Sequence, residues 1–105
     1  MQFLHPKNWT PAAGYSNGVV VAGGRQIFVA GQVGWNARQE IVSDDFVAQV
    51  ERALENIVEI LAAGEARAEH LVRLTWYVID KREYLARSAD VGQVYRRVIG
   101  RHFRP

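Results

Sequence analysis

The sequence contains no cysteine, and this absence excludes several kinds of structure and chemistry. The chain can form no disulfide, no catalytic thiolate and no sulfur-ligated metal site. Long hydrophobic runs are also missing, since no apolar stretch approaches the ~18 residues of a membrane span. The N-terminal segment MQFLHPKNWTP lacks the basic flank and long apolar stretch of a secretory signal. We therefore expect a cytoplasmic protein with no membrane partner.

A large surplus of either charge is missing as well. The 13 Lys and Arg residues against 11 Asp and Glu leave a formal net charge of +2. Nucleic-acid binders usually concentrate basic residues in a patch or stripe. Here the one basic cluster, YRRVIGRHFR, suits the end of a helix, where cations interact favourably with the helix dipole. Nucleic acid is therefore not an expected partner.

Motifs that would carry catalysis or bind a metal are absent too. The histidines His5, His70 and His102 are far apart and lack ligand spacing such as H-x-x-x-H. No serine stands in a G-x-S-x-G context, and the glycines near residue 31 lack the spacing of a phosphate-binding loop. The residues alone therefore identify no catalytic residue, no metal site and no cofactor.

The sequence does contain the elements of one small folded domain. At 105 residues with 49% apolar composition, we expect a single domain over residues 1–105. Two apolar runs, 19–22 and 26–30, flank Gly23-Gly24-Arg25. Because glycines supply the positive φ that tight turns require, this pattern predicts an antiparallel hairpin. A short strand at Ile41-Val42 is a further possibility.

A long amphipathic helix is predicted over SDDFVAQVERALENIVEILAAG. Apolar residues recur at three- and four-residue steps, namely Phe46, Val50, Ala53, Leu54, Ile57, Val58 and Leu61. The opposite side carries Gln49, Arg52, Glu55, Asn56 and Glu59. Ser43 or Asp44 is expected to cap the start, and Gly64 to close the end in the left-handed conformation. We interpret Asp44 and Asp45 as caps.

A strand and a second helix complete the predicted fold. The segment HLVRLTWYVID alternates in a β-rich pattern, and Asp80 with Glu83 then resembles a capping box. The helix that follows keeps its apolar spacing as far as Gly100. The expected fold is α+β, a two-layer sandwich in which both helices cover one face of a mostly antiparallel sheet.

The segment AGQVG, which follows the second apolar run, has two interpretations. Gly31 lets a ligand or a neighbouring backbone approach the strand end without meeting a Cβ, and Gln32 offers both a donor and an acceptor there. The alternative is a strand end that needs glycine only to turn. The residues by themselves leave both open.

Five segments, taken in order, resemble the RidA family, also called the YjgF family. They are GYSNG, IFVAGQVG, QVERALENIVEILAAG, LVRLTWYVID and VGQVYRRVIG, and the resemblance runs from about residue 13 to 103. It implies a chorismate-mutase-like α+β fold, a homotrimer with ligand clefts between subunits, and no cofactor. It also implies that the family's C-terminal strands lie outside these 105 residues. We expect Trp76 or Tyr77 and the Gly31 region at a subunit interface.

The resemblance also implies which residues bind the substrate. Tyr15 matches the aromatic residue that borders the family's cleft, and Gly31-Gln32 match its "SGQ" segment. Ala30 stands where the family usually has the serine, and Gly92 where it has an asparagine. The family's carboxylate-binding arginine follows the second helix, at a position outside this sequence. No catalytic residue is assigned.

Family membership would imply hydrolysis of reactive 2-imino or enamine acids to 2-keto acids and ammonia. An imine carbon is already electrophilic, so the protein need only hold the carboxylate and orient a water. An alternative is a non-catalytic trimer that binds a small metabolite in the same cleft. A weaker alternative is a translation inhibitor that acts on RNA, for which no basic stripe is present.

Overall fold

The computed structural model describes residues 2–11, 18–20 and 22–100. The chain divides into two units, one taking in the described residues as far as Gln26 and the other running from Ile27 to Gly100. Tyr15 and His102 lie outside the described residues.

The first unit contains one antiparallel strand pair. Strand β1, Gln2–Leu4, pairs with strand β2, Gly18–Val20, in the register Phe3 opposite Val19. Two glycines follow β2 with positive φ angles, 73° at Gly23 and 71° at Gly24. The predicted glycine turn is therefore present. The predicted hairpin is not, because the described strand partner of β2 is β1 and residues 26–30 form no strand.

In the second unit, helix α1 spans Phe46–Ala63. Its start is capped by Asp45, whose carboxylate accepts the Ala48 N–H at 2.9 Å. The interpretation of Asp45 as a cap is therefore confirmed, whereas the prediction of Ser43 or Asp44 as the capping residue is wrong, because Ser43 Oγ instead accepts the Asp45 N–H at 3.0 Å. Two side chains in succession thus order the chain where it enters α1.

The end of α1 also differs from the prediction. Gly64 has a φ of −93°, and the residue in the left-handed region is Glu65 with a φ of 62°. A Cβ on Gly64 would lie 2.9 Å from Ile27 Cδ1, the end of a flexible side chain that a small shift would move away. Gly64 therefore packs closely against Ile27, while Glu65 makes the left-handed turn.

The predicted second helix is divided into helix α2, Lys81–Ala86, and helix α3, Ser88–Val98. Arg87 separates them with φ −108° and ψ 16°. The predicted Asp80 cap is confirmed, because its carboxylate accepts the Arg82 N–H at 2.9 Å. Gly100 follows α3 with a φ of 98°, which only glycine adopts without strain.

The hydrophobic core of the second unit lies between α1 and α3. Leu54 and Ile99 are each only 2% exposed, and the other buried apolar residues are Val47, Val50, Ile57, Leu61, Val91 and Val94. Leu71 and Leu74 of the segment before α2 pack against this cluster. Amphipathic spacing in both helices is therefore what builds the core.

The segment 71–79 forms no strand, and it keeps the predicted alternation only from Leu74 onward, since Leu71 packs against the core and Val72 is 47% exposed. Leu74 faces the core and the Trp76 ring lies 6.3 Å from that of Tyr84, whereas Tyr77 is 94% exposed and Ile79 fully exposed. Residues 26–30 are likewise not assigned to a strand, and Phe28 is 89% exposed. Strands are defined by hydrogen bonds to a neighbouring strand, and the described residues supply no partner to either segment.

Candidate functional site

The loop 34–42 lies directly on the side of α1. A Cβ on Gly34 would come within 2.7 Å of both Cα and Cβ of Gln49, so no larger residue fits there without displacing the helix or the loop. The Gln49 amide in turn donates to the Ser43 carbonyl at 2.7 Å. The second glycine of AGQVG is therefore a helix-packing residue.

Two side chains on the polar side of α1 bind the backbone of this loop. Asn56 Nδ2 donates to the carbonyls of Trp35 at 2.9 Å and Val33 at 3.2 Å, and Asn56 is only 8% exposed. Arg52 Nε donates to the same Trp35 carbonyl at 3.3 Å. These bonds give both carbonyls a partner at a partly buried position and so fix the loop against the helix.

The tip of the loop is ordered by Asn36. Its Oδ1 accepts the N–H groups of Arg38 and Glu40, at 2.9 and 3.1 Å, and its Nδ2 donates to the Glu40 carboxylate. Gln39 adopts a φ of 63°, and an isolated antiparallel bridge joins Trp35 to Ile41. The short strand predicted at Ile41-Val42 is thus reduced to this one bridge.

A cleft of about 210 Å³ opens between α1 and the loop. Polar side chains dominate its walls, with Gln32 and Asn36 contributed by the loop side and Arg52, Asn56 and Glu59 by the helix. Because Asn56 and Arg52 are tied to the Trp35 carbonyl, the walls are held in place before any ligand enters.

The polar helix residues of this cleft were predicted to lie on the side of α1 opposite its apolar stripe. Their spacing does carry a signal, because Arg52, Asn56 and Glu59 follow one another at steps of four and three residues and so share one strip of the helix. Nothing in the pattern indicates that a loop 17 to 23 residues earlier covers part of that strip.

The predicted segment Ala30-Gly31-Gln32 lies next to the cleft, and Gln32 forms part of its wall. Gly31 is exposed, and a Cβ built there would meet no atom of the described chain within 4 Å. Gln32 Nε2 donates to the Ala30 carbonyl at 3.2 Å. Its Oε1 forms no hydrogen bond with a described residue, which leaves an acceptor available at the cleft wall.

The predicted site residue on α3 is not brought to this cleft. Gly92 lies in α3, where a Cβ would be 3.4 Å from Nη1 of Arg96, and it is not among the residues of the cleft wall. Tyr15 lies outside the described residues. Of the predicted binding residues that the structure describes, only Gln32 therefore lines the cleft.

Histidines contribute local hydrogen bonds in the described part of the chain. His70 Nδ1 accepts the Arg67 N–H at 3.0 Å, and His5 Nε2 lies 3.1 Å from the Trp9 carbonyl. Within residues 2–11, 18–20 and 22–100, no three His, Asp or Glu side chains are placed to hold a metal ion. Over the same residues, no helix combines the length and apolar character needed to cross a membrane.

One network of charges joins the start of α1 to the junction of α2 and α3. Arg87 Nη1 lies 3.0 Å from Asp45 Oδ1, and Arg87 Nε lies 3.0 Å from Asp90 Oδ2. The hydrogen bond from the Ala48 N–H and then that from Arg87 lower the pKa of Asp45 below its usual value. The three groups are exposed, and we interpret them as structural.

Comparisons with known proteins extend over nearly the whole chain. Residues 6–105 match the family model described as Endoribonuclease L-PSP. The chain is 38% identical over 90 residues to protein DfrA of Myxococcus xanthus, a match that covers 85% of this chain and 63% of that protein. It is 34% identical over 91 residues to a RutC family protein of Pyrococcus abyssi, covering 86% and 67%. A RutC family protein of Aquifex aeolicus is 30% identical over 79 residues, covering 75% and 62%.

A solved structure is similar over the same extent. The crystal structure of YyfB from Yersinia pestis, a protein of unknown function in the conserved Rid family, matches with a TM-score of 0.73 and 27% identity. The match covers 99% of this chain and 78% of that one. The present chain thus spans about two thirds of the length of the curated relatives, from 62% to 67%.

Proposed function

This chain belongs to the endoribonuclease L-PSP family, which includes the Rid proteins, and on that premise we propose that it hydrolyses a reactive 2-imino or enamine acid. The products are a 2-keto acid and ammonia. The substrate binds beside the Gly31-Gln32 segment. The observation that carries the proposal is Gly31 itself, since no described atom lies within 4 Å of the position its Cβ would occupy.

The open space at Gly31 suits close approach of a planar substrate to the backbone. An enamine first tautomerises to the imine, water then adds to the imine carbon, and the resulting carbinolamine expels ammonia as the carbonyl forms. The protein has to exclude alternative orientations of the substrate and hold the attacking water beside the imine carbon. Gln32 Oε1 is placed to accept a hydrogen bond from that water, because its Nε2 is already engaged with the Ala30 carbonyl.

Imine trapping tests the activity directly. An amino-acid oxidase generates 2-iminobutyrate in the presence of semicarbazide, and we expect this protein to slow semicarbazone formation in proportion to its concentration. Gly31→Val places a bulky side chain in the open space, where a Cβ meets no described atom within 4 Å, and should abolish the effect. Gln32→Ala should reduce it. An unchanged rate of semicarbazone formation with the unsubstituted protein would refute the hydrolase.

A second candidate function is binding of a small metabolite without catalysis. Two substitutions favour it, namely Ala30 where the family has serine and Gly92 where it has asparagine. Glu59 is the one carboxylate among the described residues of the cleft wall, and no histidine is there. Saturable binding of a 2-keto acid together with an unchanged rate in the trapping assay would identify this function.

Action on RNA receives no support from the described surface. Arg67, Arg87 and Arg97 are paired with carboxylates at 2.7 to 3.0 Å, and so do not form a free basic stripe. Electrostatic binding to RNA falls steeply as salt is raised. We expect no salt-dependent RNA binding by this protein.

The proposed assembly is a cytoplasmic homotrimer of RidA-like domains, each an α+β two-layer sandwich. Its support is the exposure of Tyr77 and Ile79, which a second subunit could cover. We expect a trimer in light scattering at micromolar concentration, and Tyr77→Ser should shift it toward the monomer. A monomeric unsubstituted protein at that concentration would contradict the assembly.

A further inference from the structure

We infer that Asn56, on α1, is a positioning residue that fixes the Gln32 carboxamide and the Gly31 backbone in the place where the reaction needs them. Asn56 acts through the chain that follows Gln32, without touching the substrate. The inference deepens the proposed function and rests on it for the reaction that this segment serves.

The Gly31-Gln32 segment spans two points at which the chain is attached to the second unit. On one side, the Val29 side chain packs against the hydrophobic core. On the other, Gly34 lies so close to α1 that a Cβ on it would come within 2.7 Å of Gln49. Between these points Gly31 is exposed, and no described atom lies within 4 Å of its Cβ position. The position of the span is therefore set by its two ends.

Asn56 holds the C-terminal end of this span. Its Nδ2 donates to the Val33 carbonyl at 3.2 Å and to the Trp35 carbonyl at 2.9 Å. The Val33 carbonyl also accepts the Trp35 N–H at 2.8 Å, which closes a tight turn around Gly34. Since Val33 directly follows Gln32, the helix side chain fixes a carbonyl one residue away from the proposed water-binding group.

The Asn56 amide is suited to this role by its burial and by its two N–H groups. Asn56 is only 8% exposed, and a primary amide nitrogen has one N–H for each of the two carbonyls. Arg52 donates to the Trp35 carbonyl, at 3.3 Å, which is three residues from Gln32. Asn56 thus bonds the carbonyl that lies closer to Gln32.

Loss of the Asn56 bonds should affect turnover more than substrate binding. In the proposed reaction, Gln32 Oε1 accepts a hydrogen bond from the water that adds to the imine carbon. A displacement of about 1 Å caused by a substitution far from the chemistry can lower a rate by about 100-fold. Because Gln32 contacts the water in this reaction, we expect the loss in kcat and not in KM.

The test is imine hydrolysis measured at several concentrations of 2-iminobutyrate. Asn56→Ala should lower kcat by about tenfold or more and change KM by less than about threefold. Asn56→Asp keeps the size of the side chain but has no N–H donor when ionised, so it should show the same loss and replaces Asn56→Ala if that variant does not fold.

Ile57→Val is the matched control for a general loss of stability. Ile57 is the next residue of α1 and belongs to the hydrophobic core, so removal of a methyl group also destabilises the protein. This variant should keep kcat within about twofold. Urea denaturation shows that each variant is folded under the conditions of the assay.

A double-mutant cycle determines whether Asn56 acts through Gln32. In the Gln32→Ala background, Asn56→Ala should lower kcat by at most about threefold further, because the group that Asn56 positions is already gone. Losses that multiply fully would show that the two side chains act independently, and would overturn the inference.

NMR of the protein without substrate separates the inference from the proposed function. Asn56→Ala should shift the signals of the Gln32 side-chain amide and the Gly31 N–H, whereas Ile57→Val should leave them near their parent positions. Such shifts, with a parent protein that has no effect on imine trapping, support the positioning role and refute the hydrolase. An active parent whose folded Asn56→Ala and Asn56→Asp variants keep its kcat overturns the inference and leaves the hydrolase standing. Unshifted Gln32 and Gly31 signals in those variants overturn it as well.

Discussion

Four parts of the chain are rich in apolar residues, namely the helices α1 and α3 and the extended segments 26–30 and 71–79. The apolar side chains of the helices and of the extended segments are buried to very different extents. Leu54 in α1 is 2% exposed, whereas Phe28 and Tyr77 are 89% and 94% exposed. A helix satisfies its backbone hydrogen bonds internally and needs a partner only for one face. An extended segment needs partners for its backbone as well as its faces. The helices thus complete their backbone hydrogen bonds within this chain. Among the described residues, the two extended segments have no neighbouring strand, and their backbone edges are unpaired.

Paired truncations of Leu54 and Ile79 provide the strongest test of this contrast. Leu54→Ala should lower the free energy of unfolding by about 2–5 kcal/mol, because it opens a cavity between α1 and α3. Ile79→Ala, at a fully exposed residue, should change it by less than about 0.5 kcal/mol. Urea denaturation of both variants at low protein concentration measures the difference. An Ile79 effect that grows with protein concentration would instead mean that another subunit buries this side chain.

Two alanine substitutions in AGQVG distinguish a glycine that packs against α1 from a glycine that leaves open space for a ligand. Gly34→Ala should destabilise the protein by about 1–3 kcal/mol, since its Cβ would collide with Gln49 at 2.7 Å. Gly31→Ala meets nothing within 4 Å and should leave stability within about 0.5 kcal/mol. Thermal and urea denaturation give both values. Equal destabilisation by the two variants would show that Gly31 is also a packing residue.

The polar side of α1 provides a third test. Asn56→Ala removes two hydrogen bonds to the carbonyls of Val33 and Trp35 and should lower the free energy of unfolding by about 1–2 kcal/mol. Glu55→Ala, at the neighbouring exposed position, is the matched control and should have little effect. If the two substitutions are equivalent in urea denaturation, the loop 34–42 is not held by Asn56.

The smallest expected effect is a pH dependence at the start of α1. The pKa of Asp45 is lower in the folded chain than in the unfolded chain, so its contribution to stability is complete above about pH 4. That contribution is lost as the pH falls through the folded-state pKa. Comparing urea midpoints at pH 7 and pH 3, we expect a smaller drop for Asp45→Ala than for the parent.

Arg87→Gln is the matched variant for this pH effect. This variant should retain part of the fall in urea midpoint between pH 7 and pH 3, because the Ala48 N–H still stabilises the Asp45 carboxylate. A drop identical to that of the parent would mean that the ion pair across the helix junction contributes nothing to stability at pH 7.

The helices could be predicted from the sequence because their information is local. Apolar spacing predicted α1 over residues 43–64, and the structure has Phe46–Ala63. The Asp80 cap was also correct. The break at Arg87 was missed, and one of the partners of the Arg87 side chain, Asp45, lies 42 residues earlier in the chain.

The site was less predictable because its contacts are long-range. The motif resemblance selected Gln32, which lines the cleft, but gave no indication of Arg52 and Asn56. Their partners lie in a loop 17 to 23 residues away, and spacing within a helix cannot identify a carbonyl on another segment. The strands were predicted from alternation, but pairing depends on a neighbour that alternation does not specify.

The exposed segment 71–79 also determines how this polypeptide behaves at high concentration. Short β-prone runs with low net charge stack edge to edge into aggregates unless a charge interrupts them. Here the run LTWYVI is bounded by exposed Arg73 on one side and exposed Asp80 and Lys81 on the other. These three charges interrupt the apolar run, so replacing Arg73 with an apolar residue should make the chain more prone to precipitate.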